Sequence, residues 1–597
     1  MAAPLTRREF AKIGATLTSA AFLAPVAGTL PVGRANSRRP NVLLVLTDDQ
    51  GYGDLSCHGN KQLRTPNIDS FAGAGIEMTE FYVCPVCAPS RSSLLTGQYN
   101  YRTGVQHTSR GGALMATEKV TIAEMFRAGG YATGIFGKWH LGDDYPLRPM
   151  DQGFDESLVF KGGGIGSVPD LPNSYFDTRL YENGKPMEGE GYCTEVFTDA
   201  TIRFVEKNRK RPFFAYLPYN APHGPLVVDK RYSEPFQAMG LDEKVADLYG
   251  MVVNLDQNFG RLLKKLRELD LEQNTIVIFM SDNGAWSGAR RYNAGLAGWK
   301  GSVQDGGIRV PFFFRWPAAG LQSGRKVDRI GAHIDVLPTL LDATGVSKTH
   351  GIEFDGVSLM PLFRDDKANW PDRNLYFQFH RGLVPQRYQN CAVRNQRWKA
   401  SSRANDEVQH EVKDLPLQPA FKLYDMEKDP GETTDLASQN PEIVQKMKAS
   451  YDEWYEKMWH SRNWAVGVIH IGSKSEPVTH LSVYQDSCYN FNQPTGWSVE
   501  IERGGRYRVT ISRPNYPPAN LVVKFDNKIT TLPLEQGENS KIVKLPAGKG
   551  MLDIWVEAKN VPAAEVGQRP VVAVTGNWEV MATSTAGDCD IEFVGND

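Results

Sequence analysis

Asn41-Val42-Leu43-Leu44-Val45-Leu46-Thr47-Asp48-Asp49 decides the fold. Asn41 to Leu46 is an apolar, β-branched-rich run with no polar alternation, the pattern of a parallel strand buried on both faces. Thr275-Ile276-Val277-Ile278-Phe279-Met280 repeats the pattern and ends in Ser281-Asp282-Asn283. Just before it, Leu248, Val252, Leu255, Phe259, Leu262, Leu266 and Leu269 recur at helical spacing. Strands alternating with helices predict an α/β fold with a mostly parallel sheet flanked by helices. Ligands of such sheets bind beyond the carboxyl ends of the strands, where both acidic pairs fall.

Working outward, the pattern changes near residue 370. Asn374 to Phe379 and Gln396 to Lys399 are short and alternating, Lys422-Leu423-Tyr424-Asp425 runs into the turn Asp429-Pro430-Gly431-Glu432, and a helical stretch follows over 442–458. This predicts a small antiparallel sheet with one helix. From about 466 the chain reads as all-β. Trp497 to Ile501, Arg506 to Ile511, Leu521 to Phe525 and Leu552 to Val556 alternate between Gly, Pro and Asn turns, which suggests a β-sandwich. Trp497, Tyr507, Tyr516, Trp555 and Trp578 are either sugar-stacking faces or core residues of that sandwich; core is the favoured reading, since alternation turns half of them inward. The expected domains are the α/β region over 36–370, a subdomain over 371–465 and an accessory β-module over 466–597. Over 1–35, Arg7-Arg8 with Phe10 and Lys12, followed by a weakly apolar run to Leu30, resembles a twin-arginine signal peptide with a cleavage site near Gly33-Arg34-Ala35.

Composition is that of a globular protein. With 67 Lys+Arg against 69 Asp+Glu, nothing points to nucleic acid or a membrane surface. After the N-terminus no apolar stretch is long enough to span a bilayer, so no membrane anchor is expected. Seven cysteines in 597 residues are too sparse for a disulfide scaffold, and the odd number leaves at least one altered or without an intramolecular partner.

Asp48, Asp49, Asp282 and Asn283 offer hard oxygen ligands from two strand ends, a set suited to calcium, with magnesium as the alternative, rather than zinc. Their carboxylates repel one another without a cation. Cys84-Pro85-Val86-Cys87-Ala88-Pro89-Ser90-Arg91 has three readings: a redox or zinc Cys-x-x-Cys pair, two buried cysteines near a turn, or a hydrolytic site. Cys87-x-Pro89-Ser90-Arg91 followed by Ser92-Ser93-Leu94-Leu95-Thr96-Gly97 resembles the signature of the type I sulfatases of the alkaline phosphatase superfamily. Leu46-Thr47-Asp48-Asp49-Gln50-Gly51, Gly137-Lys138-Trp139-His140, Asn220-Ala221-Pro222-His223, Ser281-Asp282-Asn283-Gly284 and Gly298-Trp299-Lys300-Gly301 match further family motifs in order. The likeness spans roughly residues 40 to 460, and Asp305 departs from it where a Glu commonly precedes the Gly-Gly pair.

The resemblance implies an alkaline phosphatase-like fold and hydrolysis of a sulfate monoester, on a carbohydrate or an artificial aryl sulfate. It implies that Cys87 becomes formylglycine, whose hydrate attacks sulfur, through a transient encounter with the formylglycine-generating enzyme. Asp48, Asp49, Asp282, Asn283 and the modified Cys87 would hold the cation. Lys138, His223 and Lys300 would bind the sulfate and leaving group, Arg91 would steady the modified side chain, and His140 would act as base. The signal implies passage through the twin-arginine export machinery to the periplasm or exterior. Two alternatives are a phosphodiesterase or phosphonate monoester hydrolase of the same superfamily, and an inactive carbohydrate-binding protein on the same fold.

Overall fold

The structure, a computed structural model, describes residues 39–595 except 110, 168, 171–172, 366, 381–383, 403–418, 463–465, 483–495, 512–518, 536 and 559–588. The expected signal peptide, Tyr516 and Trp578 lie outside the described residues.

Ten strands form the main sheet: β1 (Asn41–Thr47), β2 (Ile76–Met78), β3 (Ala132–Lys138), β4 (Glu156–Phe160), β5 (Arg179–Glu182), β6 (Lys185–Glu188), β7 (Phe213–Pro218), β8 (Thr275–Ser281), β9 (Phe312–Arg315) and β10 (Arg325–Val327). Their order is β10-β2-β9-β8-β1-β7-β3-β4-β5-β6. The centre, from β8 through β4, is parallel as expected. Toward the edges β9 and the β5-β6 hairpin run antiparallel, so the sheet is mixed.

β1 explains its own sequence. Val42, Leu44 and Leu46 pack into one core, while Leu43 and Val45 pack into the other. The first core is roofed by α2 (Cys87–Thr96), α3 (Ile122–Ala128) and α6 (Val336–Thr344), the second by α1 (Pro66–Ala74), α4 (Cys193–Asn208) and α5 (Glu243–Glu268). A strand covered by helices on both faces has no solvent face to keep polar. α5 buries Leu248, Leu255, Phe259, Leu262 and Leu266 among the helically spaced residues.

The antiparallel subdomain has strands β11 (Leu375–Gln378), β12 (Cys391–Arg394), β13 (Trp398–Ser402) and β14 (Lys422–Asp425), paired in sequence order. It carries helix α7 (Pro441–Trp459). β12 is a strand that the sequence reading missed. Its residues, Cys391-Ala392-Val393-Arg394, are buried throughout and are too few to show an alternation.

The C-terminal module contains β15 (Ile469–Ile471), β16 (Val478–Leu481), β17 (Trp497–Ile501), β18 (Gly505–Ile511), β19 (Ala519–Phe525), β20 (Lys528–Leu534), β21 (Ser540–Leu545), β22 (Gly548–Ala558) and β23 (Cys589–Gly595). They form two sheets, β15-β17-β22-β19-β20 and β16-β23-β18-β21, sharing one apolar core. Trp497 and Tyr507 are buried in it, with Trp497 Nε1 donating to Ser482 O at 2.8 Å, so both are core aromatics. Trp555 is half-buried. No helix among the described residues is long and apolar enough to cross a membrane.

Candidate active site

The site forms where β1, β8 and β3 end at the carboxyl edge of the sheet. Thr47 leaves β1 and the chain turns so that Asp49 takes a left-handed backbone, φ 64°. Its amide donates to Asp282 Oδ1 at 3.2 Å, tying the two acidic strand ends together. Asn283 Nδ2 donates to Asp49 Oδ1 at 2.8 Å. Gly284 is needed next: a Cβ there would fall 2.0 Å from Gly306 O, and its amide donates to Gly307 O at 2.9 Å. This contact carries the Lys300–Gly307 segment over the acidic turn.

Cys87 is the first residue of α2 and is buried. Pro89 fits the first turn, where a missing amide hydrogen costs nothing. The helix aims the partial positive charge of its N-terminus at position 87, which favours an anion there. Cys84 and Cys87 are free thiols, and Cys84 instead lies 3.2 Å from His333 Nε2. Burial pushes the Cys87 thiol up to about 11, against the pull of Lys138 and Lys300. The unmodified side chain is therefore a thiol at neutral pH and a poor nucleophile.

Three cations, Arg91 and Lys138 buried and Lys300 partly so, meet three buried carboxylates. Arg91 Nε and Nη2 reach Asp282 Oδ2 at 3.1 and 2.7 Å, and Nη1 donates to Lys138 O at 3.0 Å. Lys138 Nζ donates to Asp48 Oδ2 at 2.6 Å. Lys300 Nζ sits 2.5 Å from Asp49 Oδ1 and 3.3 Å from Cys87 Sγ. Burial works against ionisation of Asp49, but Lys300, His223 and Lys138 outweigh it and hold the carboxyl well below the usual range. Asp282 is raised by burial and by Asp48, despite Arg91. The two carboxyls are thus driven apart by their surroundings.

One ligand atom each from Asp48, Asp49, Cys87 and His223 lies within 4.8 Å of the others. Asp48 Oδ1 and Asn283 Oδ1 are buried with no hydrogen-bond partner among the described residues. Orphaned hard oxygens of this kind are costly without a positive partner, so the residues fit a calcium or magnesium ion. Asp282 and Asn283 join this group through their bonds to Asp49.

The two histidines have defined tautomers. His140 Nε2 is 2.9 Å from Thr108 O, so Nε2 carries the hydrogen and Nδ1 is the basic nitrogen. His140 also has a left-handed backbone, φ 64°, a conformation that costs about 1–3 kcal/mol and needs support from its surroundings. Burial, then Lys138, holds its imidazole well below the usual value, so it is neutral. His223 Nδ1 is 2.7 Å from Gly224 O, leaving Nε2 facing Asp49 Oδ2 at 3.8 Å. Burial lowers it to about 3, despite the attraction of Asp49.

Asp48, Asp49, Cys87, Arg91, Lys138, His140, His223, Asp282, Asn283 and Lys300, the site residues expected from the sequence, all lie at this edge. The reading missed the residues that orient them. Thr108 supplies the carbonyl for His140. Tyr175 OH donates to Asn220 O at 3.0 Å and His223 O at 2.5 Å, and Asn220 Nδ2 donates back to it, which pins the His223 turn. Thr108 acts through its backbone and Tyr175 from far away in sequence, so neither carries a local signal.

Residues 40–346 match the family model described as Sulfatase, and residues 298–457 match the one described as N-sulphoglucosamine sulphohydrolase, C-terminal. Arylsulfatase A of Homo sapiens is 30% identical over 470 residues, covering 70% of this chain and 88% of that protein. N-acetylgalactosamine-6-sulfatase of Canis lupus familiaris is 31% identical over 368 residues, covering 57% and 68% respectively. The crystal structure of Ps i-CgsB in complex with k-i-k-neocarrahexaose is similar with a TM-score of 0.64 at 29% identity, covering 72% of this chain and 95% of that one.

Proposed function

The chain belongs to the sulfatase family of sulfuric ester hydrolases, and we propose that it desulfates a carbohydrate at a formylglycine made from Cys87 beside a calcium ion. The observation that carries the proposal is the setting of Cys87. It opens a buried helix with Lys300 Nζ 3.3 Å from its sulfur and within ligand distance of Asp48, Asp49 and His223. The carbohydrate part is supported by the relative named for N-acetylgalactosamine and the neighbour solved with a neocarrahexaose.

Asp48, Asp49, Asp282 and Asn283 would hold the cation, together with the modified position 87. Bound there, it supplies a Lewis acid to a sulfate oxygen. The formyl group supplies, as its hydrate, a hydroxyl nucleophile that a cysteine lacks. The chain's own residues do the rest. Lys138 and Lys300 are point charges for the sulfate oxygens, and Arg91 steadies the oxygen atoms at position 87. His140 takes a proton at Nδ1, the nitrogen left basic by Thr108. His223 Nε2 faces the cluster and serves the leaving-group oxygen, holding a proton there once substrate adds its negative charge.

The division into a catalytic region over 36–370, a subdomain over 371–465 and an accessory module over 466–597 belongs to the same proposal. So does export through the twin-arginine route, with Cys87 converted in the cytoplasm before the folded chain leaves. The test is turnover of defined sulfated oligosaccharides and of nitrophenyl sulfate, beside the phosphate mono- and diester analogues. Sulfate release faster than either phosphate reaction is expected. A dominant diester rate would overturn the sulfatase assignment for the native reaction.

A further inference from the structure

We infer that the C-terminal β-module is an intramolecular brace for His140, with Glu476 as a positioning residue, an inference that rests on the role proposed for His140. His140 belongs to the second of two loops, residues 139–148, and is bonded by the first, the described residues of 106–116. The first provides Thr108 O, 2.9 Å from His140 Nε2, and the two loops are joined by Met115 N donating to Leu141 O at 3.1 Å. Both loops are held by the module.

The second loop lends both main-chain groups of Tyr145 to it. Tyr145 N donates to Glu476 Oε2 at 2.8 Å, and His470 N donates to Tyr145 O at 2.9 Å. Glu476 Oε1 accepts from Arg148 Nη1 at 3.1 Å, while Arg148 also donates to Asp151 and reaches Ser475 O. Leu147 is buried in the module's own core rather than in either core of the main sheet, and Trp139 Nε1, beside His140, donates to Leu147 O at 2.9 Å. Leu114, from the first loop, is buried in that same core. A Cβ at Gly467 would fall 2.8 Å from Leu114 Cβ, so the segment leading into β15 lies directly on this loop.

An apolar core shared across two domains does not permit independent motion of either. The module therefore acts as part of the scaffold around a histidine whose left-handed backbone needs support. Glu476 touches no reacting atom. It acts through Tyr145 and Arg148.

The experiment compares Glu476→Ala, Glu476→Gln and Gly467→Val with wild type, as full-length, aldehyde-bearing, calcium-loaded enzyme. Glu476→Ala and Gly467→Val should lower kcat for nitrophenyl sulfate roughly 10- to 100-fold, the scale of a small misplacement of a catalytic group. KM should stay within about two-fold, because the sulfate-binding lysines are untouched. Glu476→Gln keeps an acceptor for Tyr145 N and should recover most of the loss. Hydrogen exchange over residues 106–116 and 139–148 reads the brace without turnover, and should quicken in Glu476→Ala and Gly467→Val but not in Glu476→Gln. Exchange unchanged in both disruptive variants, or a KM rise with kcat preserved, would overturn the inference. Quickened exchange in a protein whose wild type releases no sulfate would uphold the brace and count against the proposed reaction instead.

Discussion

Arg91 grips a single oxygen of Asp282 with two nitrogens, Nη2 at 2.7 Å and Nε at 3.1 Å, and turns its third toward the carbonyl of Lys138. Both side chains are fully buried. The pair joins α2, which begins at Cys87, to the ends of β8 and β3. Arg91→Met removes all three bonds and leaves Asp282 facing Asp48 without its nearest cation. The loss should be about 3–5 kcal/mol of stability, together with turnover, read from urea midpoints and nitrophenyl sulfate assays.

Chelation should lower activity and thermal stability together. Asp48 Oδ1 and Asn283 Oδ1 are buried acceptors without donors among the described residues, and a bound cation satisfies them only in the folded state. Added calcium should raise Tm with its concentration, the stabilisation reaching about 2.7 kcal/mol at a hundredfold excess over Kd. In Asp49→Asn the calcium-dependent shift should shrink. A Tm indifferent to calcium in the wild type would speak against the ion site.

Cys87→Ala should leave folding cooperative and abolish sulfate release, since the side chain is buried and small and the substitution removes the modifiable sulfur. Mass spectrometry of the wild-type peptide spanning position 87 should show the aldehyde in active preparations. Full activity in a preparation carrying only unmodified Cys87 would contradict this.

Much of this was legible because the chemistry and the fold share residues. Leu43 and Leu44 face opposite cores, so the strand is uniformly apolar, and the acidic pair at its end stands out against that background. Cys87, Pro89 and Arg91 lie within one helix, so their spacing is meaningful in sequence. The orienting residues were hidden for the opposite reason. Thr108 contributes only a carbonyl, Tyr175 reaches His223 across 48 positions, and Glu476 reaches Tyr145 across 331. Single-sequence patterns carry periodicity and local motifs, whereas such pairings exist only once the sheet has brought distant loops together. The antiparallel edges were also missed, because short strands such as β5 and β6 bury too few residues to mark a face.

Stability should fall in acid through buried neutral histidines. Burial lowers His333 from 6.5 to about 3 and His380 from 6.5 to about 4. Between those values and 6.5 the unfolded chain binds more protons than the native one, so stability rises with pH through this window. It is complete above 6.5 and lost as pH falls toward the folded values. His333→Asn should flatten the slope of urea midpoint against pH between about 4 and 6, a contribution on the order of a few kcal/mol.

Lys399 holds the subdomain to the catalytic region. It is fully buried, 2.8 Å from Asp305 and 3.0 Å from Glu432, and Glu432 also accepts from the Asp305 amide at 2.7 Å. Lys399→Met takes the shared ammonium away from two buried carboxylates and should cost about 3–5 kcal/mol by chemical denaturation. Asp305→Glu, the residue common in the family, adds a methylene to a fully packed position already bonded by Lys399 and Tyr82. It should cost about 1–3 kcal/mol while keeping turnover.

In its four-stranded sheet β23 pairs with both β16 and β18, yet it follows every other strand of the module in the chain. On the ribosome, the loops beside His140 are made early, while the module core that buries Leu114 and Leu147 stays incomplete until β23 adds Cys589 and Ile591. Under the proposed brace, the support of His140 is thus completed only with β23. On the proposed order, in which Cys87 is converted before the chain folds, that delay falls within the interval open to the modifying enzyme.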